Sequence, residues 1–162
     1  MRFGIMSDSH GDMKQVEKAV QDMGQVDYIL HAGDHYRDAL ALREKIQTKV
    51  VGVGGNCDLM MQTPKQHIGK YGGKKLLLIH GHQYGVKRGL QSLVAHAKQR
   101  RIDMVVFGHT HIPTVEEMDK VLLFNPGSVA FPRYRGKPTY GIIDIDEEGI
   151  IPKIVSLPNN VG

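Results

Sequence analysis

Of the 162 residues only one, Cys57, is a cysteine; none is tryptophan and four are phenylalanine. A lone thiol cannot close an internal disulfide, which excludes the stapled scaffolds of small secreted domains. No apolar run approaches the ~20 residues needed to span a bilayer. The first residues enter a strand pattern without the basic, apolar and cleavage regions of a secretory leader. The expectation is a cytoplasmic protein with no membrane partner. Charge of one sign is also lacking: 21 lysines and arginines against 17 acids give a formal +4. That excess favours anionic ligands without marking a nucleic-acid binder. The one basic cluster, Lys98-Gln99-Arg100-Arg101, reads as the solvated C-terminal end of a helix. No Gly-x-Ser-x-Gly elbow is present to offer a serine nucleophile, since Gly127-Ser128 lacks that context. There is no internal repeat, linker or low-complexity segment, and the length suits a single domain over 1–162 with an aliphatic core.

What the chain has instead is one unit used repeatedly, an apolar strand followed by a short loop of ligand-type side chains. Arg2 to Met6 leads into Asp8-Ser9-His10, Tyr28 to Leu30 into Gly33-Asp34, and Val50 to Val53 into Gly55-Asn56-Cys57-Asp58. Lys75 to Ile79 leads into His80-Gly81-His82, and Met104 to Phe107 into Gly108-His109-Thr110-His111. In a parallel sheet the carboxyl ends of the strands share one edge, so these loops are expected to converge. Carboxylate, amide and imidazole are hard or borderline donors, a set that suits divalent first-row metals. A lone Asp between strand and helix is an ordinary N-cap, but capping does not account for donors at five strand ends.

Between these loops Asp12 can cap a helix with Met13, Val16, Ala19, Val20 and Met23 on one face, stopped by Gly24. A second helix is expected over 36–46 and a third over 89–101, the latter with Leu90, Leu93, Val94 and Ala97 facing inward. Two successive right-handed βαβ crossovers predict a parallel sheet. Residues 66–71 and 74–80 around Gly72-Gly73 read as a hairpin. Segments 114–118, 121–124, 140–145 and 150–156 are expected to form an antiparallel meander. The sum is an α/β fold of two packed mixed β-sheets flanked by helices.

Taken in order, Asp-x-His, Gly-Asp, Gly-Asn, His-Gly-His and Gly-His-x-His resemble the calcineurin-like metallophosphoesterase superfamily, and in particular its small bacterial and archaeal phosphodiesterase branch. The phosphoesterase-fold subunit of retromer is a relative. The resemblance implies a four-layer sandwich and two divalent metal ions, Mn²⁺ first, with Ni²⁺, Fe²⁺, Co²⁺ or Zn²⁺ as alternatives. It implies Asp8, His10, Asp34 and His111 on one ion and Asp34, Asn56, His80 and His109 on the other, with Asp34 bridging. A carboxylate is the side chain here able to bridge two cations, and such a pair suits in-line displacement at phosphorus. The implied function is a phosphodiesterase whose metal-held hydroxide attacks small phosphate esters, with Asp34, Asn56 and His82 in the catalytic set. Asn56, Ser128 and Arg133 would contact the substrate. Many members place a leaving-group histidine where this chain has Cys57, so His82, Asp58 or water must supply that proton, which favours activated or diester substrates.

Two alternatives stay open: a protein-interaction scaffold on the same fold, as in the retromer relative, and a nuclease. The scaffold relative lacks the full Asp-x-His motif, whereas Asp8 and His10 are both present here. A nuclease wants a basic, aromatic-lined groove, and no such stripe is visible. Strand edges leave room for a homodimer. Among the remaining candidates, His31 reads as a hydrogen-bonded core histidine, His67 and His96 as solvated, His35 as a rim residue and Cys57 as a buried inert thiol.

Overall fold

A computed structural model describes residues 1–158, so the last four positions of the expected 1–162 span lie outside the described residues. Ten strands and three helices follow one another as β1 (Arg2–Met6), α1 (Met13–Met23), β2 (Tyr28–His31), α2 (Tyr36–Lys45), β3 (Lys49–Gly52), β4 (Gln66–Tyr71), β5 (Lys74–Ile79), α3 (Gln91–Gln99), β6 (Met104–Val106), β7 (Thr114–Met118), β8 (Val121–Asn125), β9 (Thr139–Asp146) and β10 (Gly149–Ser156). One sheet runs β10-β9-β1-β2-β3 and the other β4-β5-β6-β8-β7. In the first, β1, β2 and β3 are parallel; in the second, β5, β6 and β8 are.

Side-chain alternation sorts the apolar residues into three layers of contact. Phe3, Ile5 and Leu30 point into the space between the sheets, where they meet Leu76, Leu78, Met104, Val106 and Phe124. The odd-numbered neighbours Leu77, Ile79, Val105 and Phe107 face the other way and pack on Leu93, Val94 and Ala97 of α3. On the outer face of the first sheet, Met6 and Ile29 meet Val16, Ala19 and Met23 of α1 and Ala39 and Leu42 of α2. The result is helix, sheet, sheet, helix, the expected sandwich. The central strands β1, β2, β5, β6 and β8 have both faces covered, which is why these segments read as continuous apolar runs.

Local signals set the helix ends. Asp12 accepts from the Gln15 amide at 3.1 Å and caps α1, as expected. The third helix is shorter than 89–101 because Arg101 adopts a left-handed φ of 54° just beyond it.

The expected meander is corrected. β7 and β8 do form a hairpin, but β8 lies parallel to β6 in the second sheet. β9 and β10 return to the first sheet, where β9 runs antiparallel to β1. A hairpin is specified locally, whereas the edge it joins is decided by burial. β9 buries Ile143 and Ile145 between the sheets and Tyr140 and Ile142 under the helices, so it needs cover on both faces.

His31, at the end of β2, is the core histidine the sequence suggests. Its Nδ1 accepts from the Gly33 amide at 3.2 Å, so Nε2 carries the proton and donates to Ser9 Oγ at 2.8 Å. Ser9 in turn donates to Asp38 Oδ2 at 2.6 Å. Burial pushes the His31 pKa from 6.5 to about 4, against the pull of Asp38 and Asp8. The unfolded chain therefore binds a proton that the folded one refuses, and stability falls as pH drops from 6.5 towards 4. In chelator-treated protein, Tm followed by circular dichroism should fall through that window, with a loss of about 3 kcal/mol attributable to this group. The His31→Asn variant should show a flatter Tm profile over the same window; an unchanged slope would rule out His31 as the group responsible.

Candidate metal centre

The carboxyl ends of the two parallel ladders lie at one edge of the sandwich, and backbone bonds hold their loops together. Asp8 N donates to Gly33 O at 2.9 Å, and Gly108 N to His80 O at 3.1 Å. Between the two sheets, the His109 amide donates to Asp8 Oδ2 at 3.1 Å. Five of the expected ligand residues, Asp8, His10, Asp34, His109 and His111, have φ between 47° and 70°. Left-handed backbone at non-glycine residues is costly and persists only where surroundings enforce it, so its concentration here marks a built site. Two glycines show how close the packing is. A Cβ on Gly108 would lie 2.0 Å from Ser7 Oγ, and one on Gly55 would lie 2.0 Å from Asp34 Oδ1.

The donors fall into two groups. Asp8, His10, Asp34 and His111 can bring ligand atoms within 4.8 Å of one another, as can Asp34, His80 and His109. Asp34 belongs to both. Asn56 lies beside the second group, its Oδ1 3.0 Å from His80 Nε2.

Tautomers are set from behind. His80 Nδ1 donates to Ala32 O at 2.8 Å and His111 Nδ1 to Phe131 O at 2.6 Å. A carbonyl can only accept, so each ring turns its Nε2 into the centre, the arrangement of a metal-binding imidazole. His111 Nε2 stands 3.3 Å from Asp8 Oδ1 and 3.4 Å from His10 Nε2. His80 Nε2 is 3.3 Å from Asp34 Oδ1.

Asp8 supplies the fit test. Its Oδ2 is taken by Ser7 Oγ at 2.6 Å and by the His109 amide, while the fully buried Oδ1 has no hydrogen-bond partner. An orphaned buried carboxylate oxygen is expensive, and here it faces imidazole Nε2 atoms rather than apolar side chains. A divalent cation among these atoms would satisfy it, so the residues fit a metal.

The charges agree. Burial pushes the Asp34 carboxyl up, but the hydrogen bond and charge of His80 with the Cys57 amide (3.0 Å) outweigh it and hold the group well below the usual carboxylate range. Burial lowers and the two carboxylates raise His80, the carboxylates prevailing. The Asp8 carboxylate, with Oδ1 3.3 Å from its Nε2, raises His111 against the effect of burial. Burial, then His80, then the Lys87 ammonium push His109 down to about 4. The centre thus prefers positive charge near Asp8 and Asp34 and neutral imidazole at its rim.

Several expected roles change. Ser128 is fully buried: its hydroxyl donates to Asp8 O at 2.8 Å and accepts from the Ala130 and Phe131 amides, so it fastens the loop and has no reach to substrate. Asp58 is not a free acid, because its two oxygens cap the Tyr36 and Gly55 amides at 2.8 Å each. Cys57 is exposed rather than buried. Partial burial first, and then the Asp34 charge, still push its thiol up to about 11, so it is inert although exposed. His67 and His96 are half-buried rather than solvated, each against a tyrosine, Tyr71 and Tyr84 respectively. His82 sits on a single 3₁₀ turn with its ring 5.3 Å from that of His80, half-exposed at the rim. Arg133 is exposed and walls a cavity of about 600 Å³ with His10, His111, Phe131 and Pro132.

One residue was missed. Asp38, buried on the first turn of α2, accepts from Ser9 Oγ, from the Gly11 amide at 2.9 Å and from His35 Nδ1 at 2.8 Å. It braces the loop carrying Asp8 and His10 from outside. An acid in the first turn of a helix carries a routine dipole signal, and only the tertiary contact reveals the second duty.

Comparison with known proteins bears on the family and the fold. A model of the calcineurin-like phosphoesterase superfamily domain matches residues 1–148. The "Probable metallophosphoesterase YsnB" of Bacillus subtilis is 32% identical over 149 residues, 91% of this chain and 86% of that one. Phosphodiesterase YfcE of Escherichia coli K12 is 28% identical over 176 residues, covering 93% and 91%. Among solved structures, a conserved Streptococcus pneumoniae protein described as a predicted phosphoesterase superposes with TM-score 0.83 at 30% identity, over 96% and 88% of the two chains. Zinc-complexed Vps29 of Entamoeba histolytica shares the fold alone, with TM-score 0.76 at 20% identity over 98% and 100%.

Two substitutions test the build. Asp38→Asn should weaken Mn²⁺ affinity roughly 10- to 100-fold by calorimetry while the fold is kept, as expected when the support behind a ligand loop is lost. Gly108→Ala should lower the denaturant midpoint, costing about 1–3 kcal/mol for the overpacked Cβ. An unaltered midpoint would mean that Ser7 and Asp8 can give way.

Proposed function

Since the chain belongs to the calcineurin-like phosphoesterase superfamily, and so to the metal-dependent phosphoesterases, we propose that it hydrolyses phosphodiesters using two divalent ions, with manganese the first choice. The carrying observation is the meeting of two donor groups at Asp34, beside the orphaned Asp8 Oδ1. Asp8, His10, Asp34 and His111 serve one ion; Asp34, Asn56, His80 and His109 serve the other. Carboxylate, amide and imidazole donors without thiolate suit Mn²⁺, with Fe²⁺, Co²⁺, Ni²⁺ and Zn²⁺ compatible. When bound, such ions supply a water of lowered pKa and offset the charge of the phosphoryl oxygens.

The remaining work falls to the chain. Asp34 stays ionised at all working pH values because His80 and the Cys57 amide stabilise its charged form. The Ala32 and Phe131 carbonyls keep His80 and His111 aimed inward. Arg133 can reach a phosphate from its cavity wall with a bidentate guanidinium. Asn56, exposed beside His80, offers its amide group to a phosphoryl oxygen.

The diester preference rests on the proton source and on the name of the E. coli relative. Cys57 is too weak an acid and Asp58 is engaged, which leaves His82 or water for the leaving group. Burial and the neighbouring His80 lower the His82 pKa, so its acid form is scarce at neutral pH. Esters with good leaving groups are therefore favoured. A single domain over 1–162 working in the cytoplasm completes the reading, and the exposed Cys57 thiol suits a reducing compartment. Asp8 and His10 together favour the enzyme over a scaffold.

Chelator-stripped protein should hydrolyse bis(p-nitrophenyl) phosphate only after Mn²⁺ is returned, and faster than p-nitrophenyl phosphate. Asp34→Asn should lower kcat/KM about 100-fold or more, because both donor groups lose their shared carboxylate. His82→Ala should slow alkyl aryl diesters of poor leaving groups more than nitrophenyl ones. Metal binding without turnover of any diester would sink the proposal.

A further inference from the structure

Besides the cavity at His10 and His111, a second one of about 550 Å³ is also lined by Arg133. Arg133 walls both, and Thr110 in the second lies between His109 and His111 in the chain. The two cavities therefore share Arg133, and the second is lined by Thr110 and Ile112, residues that alternate in sequence with His109 and His111. The second has an apolar floor around Leu90 and Phe107, with Lys87, Tyr134 and Glu116 on its walls. Tyr134 is 89% exposed, a phenol ring standing in solvent. Among the described residues, neither Lys87 nor Arg133 has a carboxylate within ion-pair distance, whereas Lys45 at a third cavity, between α1 and α2, is paired with Glu17. Two unpaired cations, an exposed ring and an apolar floor form a surface suited to a planar group that carries its own negative charge.

A phosphodiester has two substituents, and the two cavities that meet at Arg133 offer a place for each. We propose that the cavity at Lys87 and Tyr134 holds the second arm of the substrate and that this arm is a nucleotide. The base lies on Tyr134 and the apolar floor, the arm's own phosphate meets Lys87, and Glu116 accepts from a base or sugar N–H or O–H. The volume suits a ligand of that size. This rests on the phosphodiesterase reading and names the substrate class within it.

Two p-nitrophenyl esters of thymidine 5′-phosphate, one with and one without a 3′-phosphate, give the test, since both release the same nitrophenolate. The Mn²⁺-loaded wild type should show KM about fivefold lower for the 3′-phosphorylated ester, the effect of one partly solvated charge contact. Calorimetry should show the same preference for thymidine 3′,5′-bisphosphate over thymidine 5′-phosphate. Lys87→Gln should bring both ratios close to one, and Lys87→Arg should restore them. Equal KM and Kd values in the wild type, or a preference kept in Lys87→Gln, would overturn the nucleotide site. Turnover without the preference removes the site and leaves the hydrolase. A preference in binding that depends on Lys87, with neither ester hydrolysed, removes the hydrolase and leaves the site.

Discussion

The divided carboxylate of Asp8 is the interaction on which the site depends. One oxygen is clamped by the Ser7 hydroxyl and by the His109 amide from the opposite sheet; the other is left buried and without a hydrogen bond. The first ties the two sheets together at their common edge, and the second carries the cost that a cation relieves. Neither would be possible if the parallel ladders ended at different heights. The three-layer core places their carboxyl ends level, and the loops then need left-handed backbone to turn their side chains inward. Stability made in the core thus sustains strain at the rim.

Much of this was legible in the sequence because the signals were local. Each ligand loop follows its own apolar run, and five such units in one chain point to a shared edge before any pairing is known. The helices were legible from their faces, and α1 from Asp12. What failed was non-local. The β9–β10 hairpin can be read from Glu147-Glu148-Gly149, but its return to the first sheet depends on both of its faces finding cover. Ser128 and Asp58 looked free because a side chain's hydrogen bonds to distant backbone leave no trace in composition. Asp38 shows the reverse, a carboxylate that passes for a helix-end acid and braces a loop 27 residues earlier. Cys57 fell between: its inertness was anticipated, but the thiol is exposed, and partial desolvation together with the Asp34 charge holds its pKa up.

The buried polar groups around the site form chains rather than isolated pairs. His31, Ser9, Asp38 and His35 are linked on one side; Ser7, Asp8 and Ser128 on the other. Such networks are rigid when every member is satisfied. Of the buried side-chain atoms without a partner among the described residues, Asp8 Oδ1 lies at the centre and His82 Nδ1 at the rim, while Gln15 Oε1 and His96 Nε2 lie away from the site.

The Ser128 hydroxyl and the Phe131 carbonyl have a joint consequence. Ser128 binds Asp8 on one side and the Ala130 and Phe131 amides on the other, while Phe131 O fixes the tautomer of His111. The stretch that presents Arg133 is therefore mechanically continuous with two of the metal-facing residues. An anion that steadies Arg133 steadies Asp8 and His111 with it, and a cation that orders Asp8 and His111 presets Arg133. The factor by which such an anion would change the affinity for the cation then equals the factor by which the cation would change the affinity for the anion.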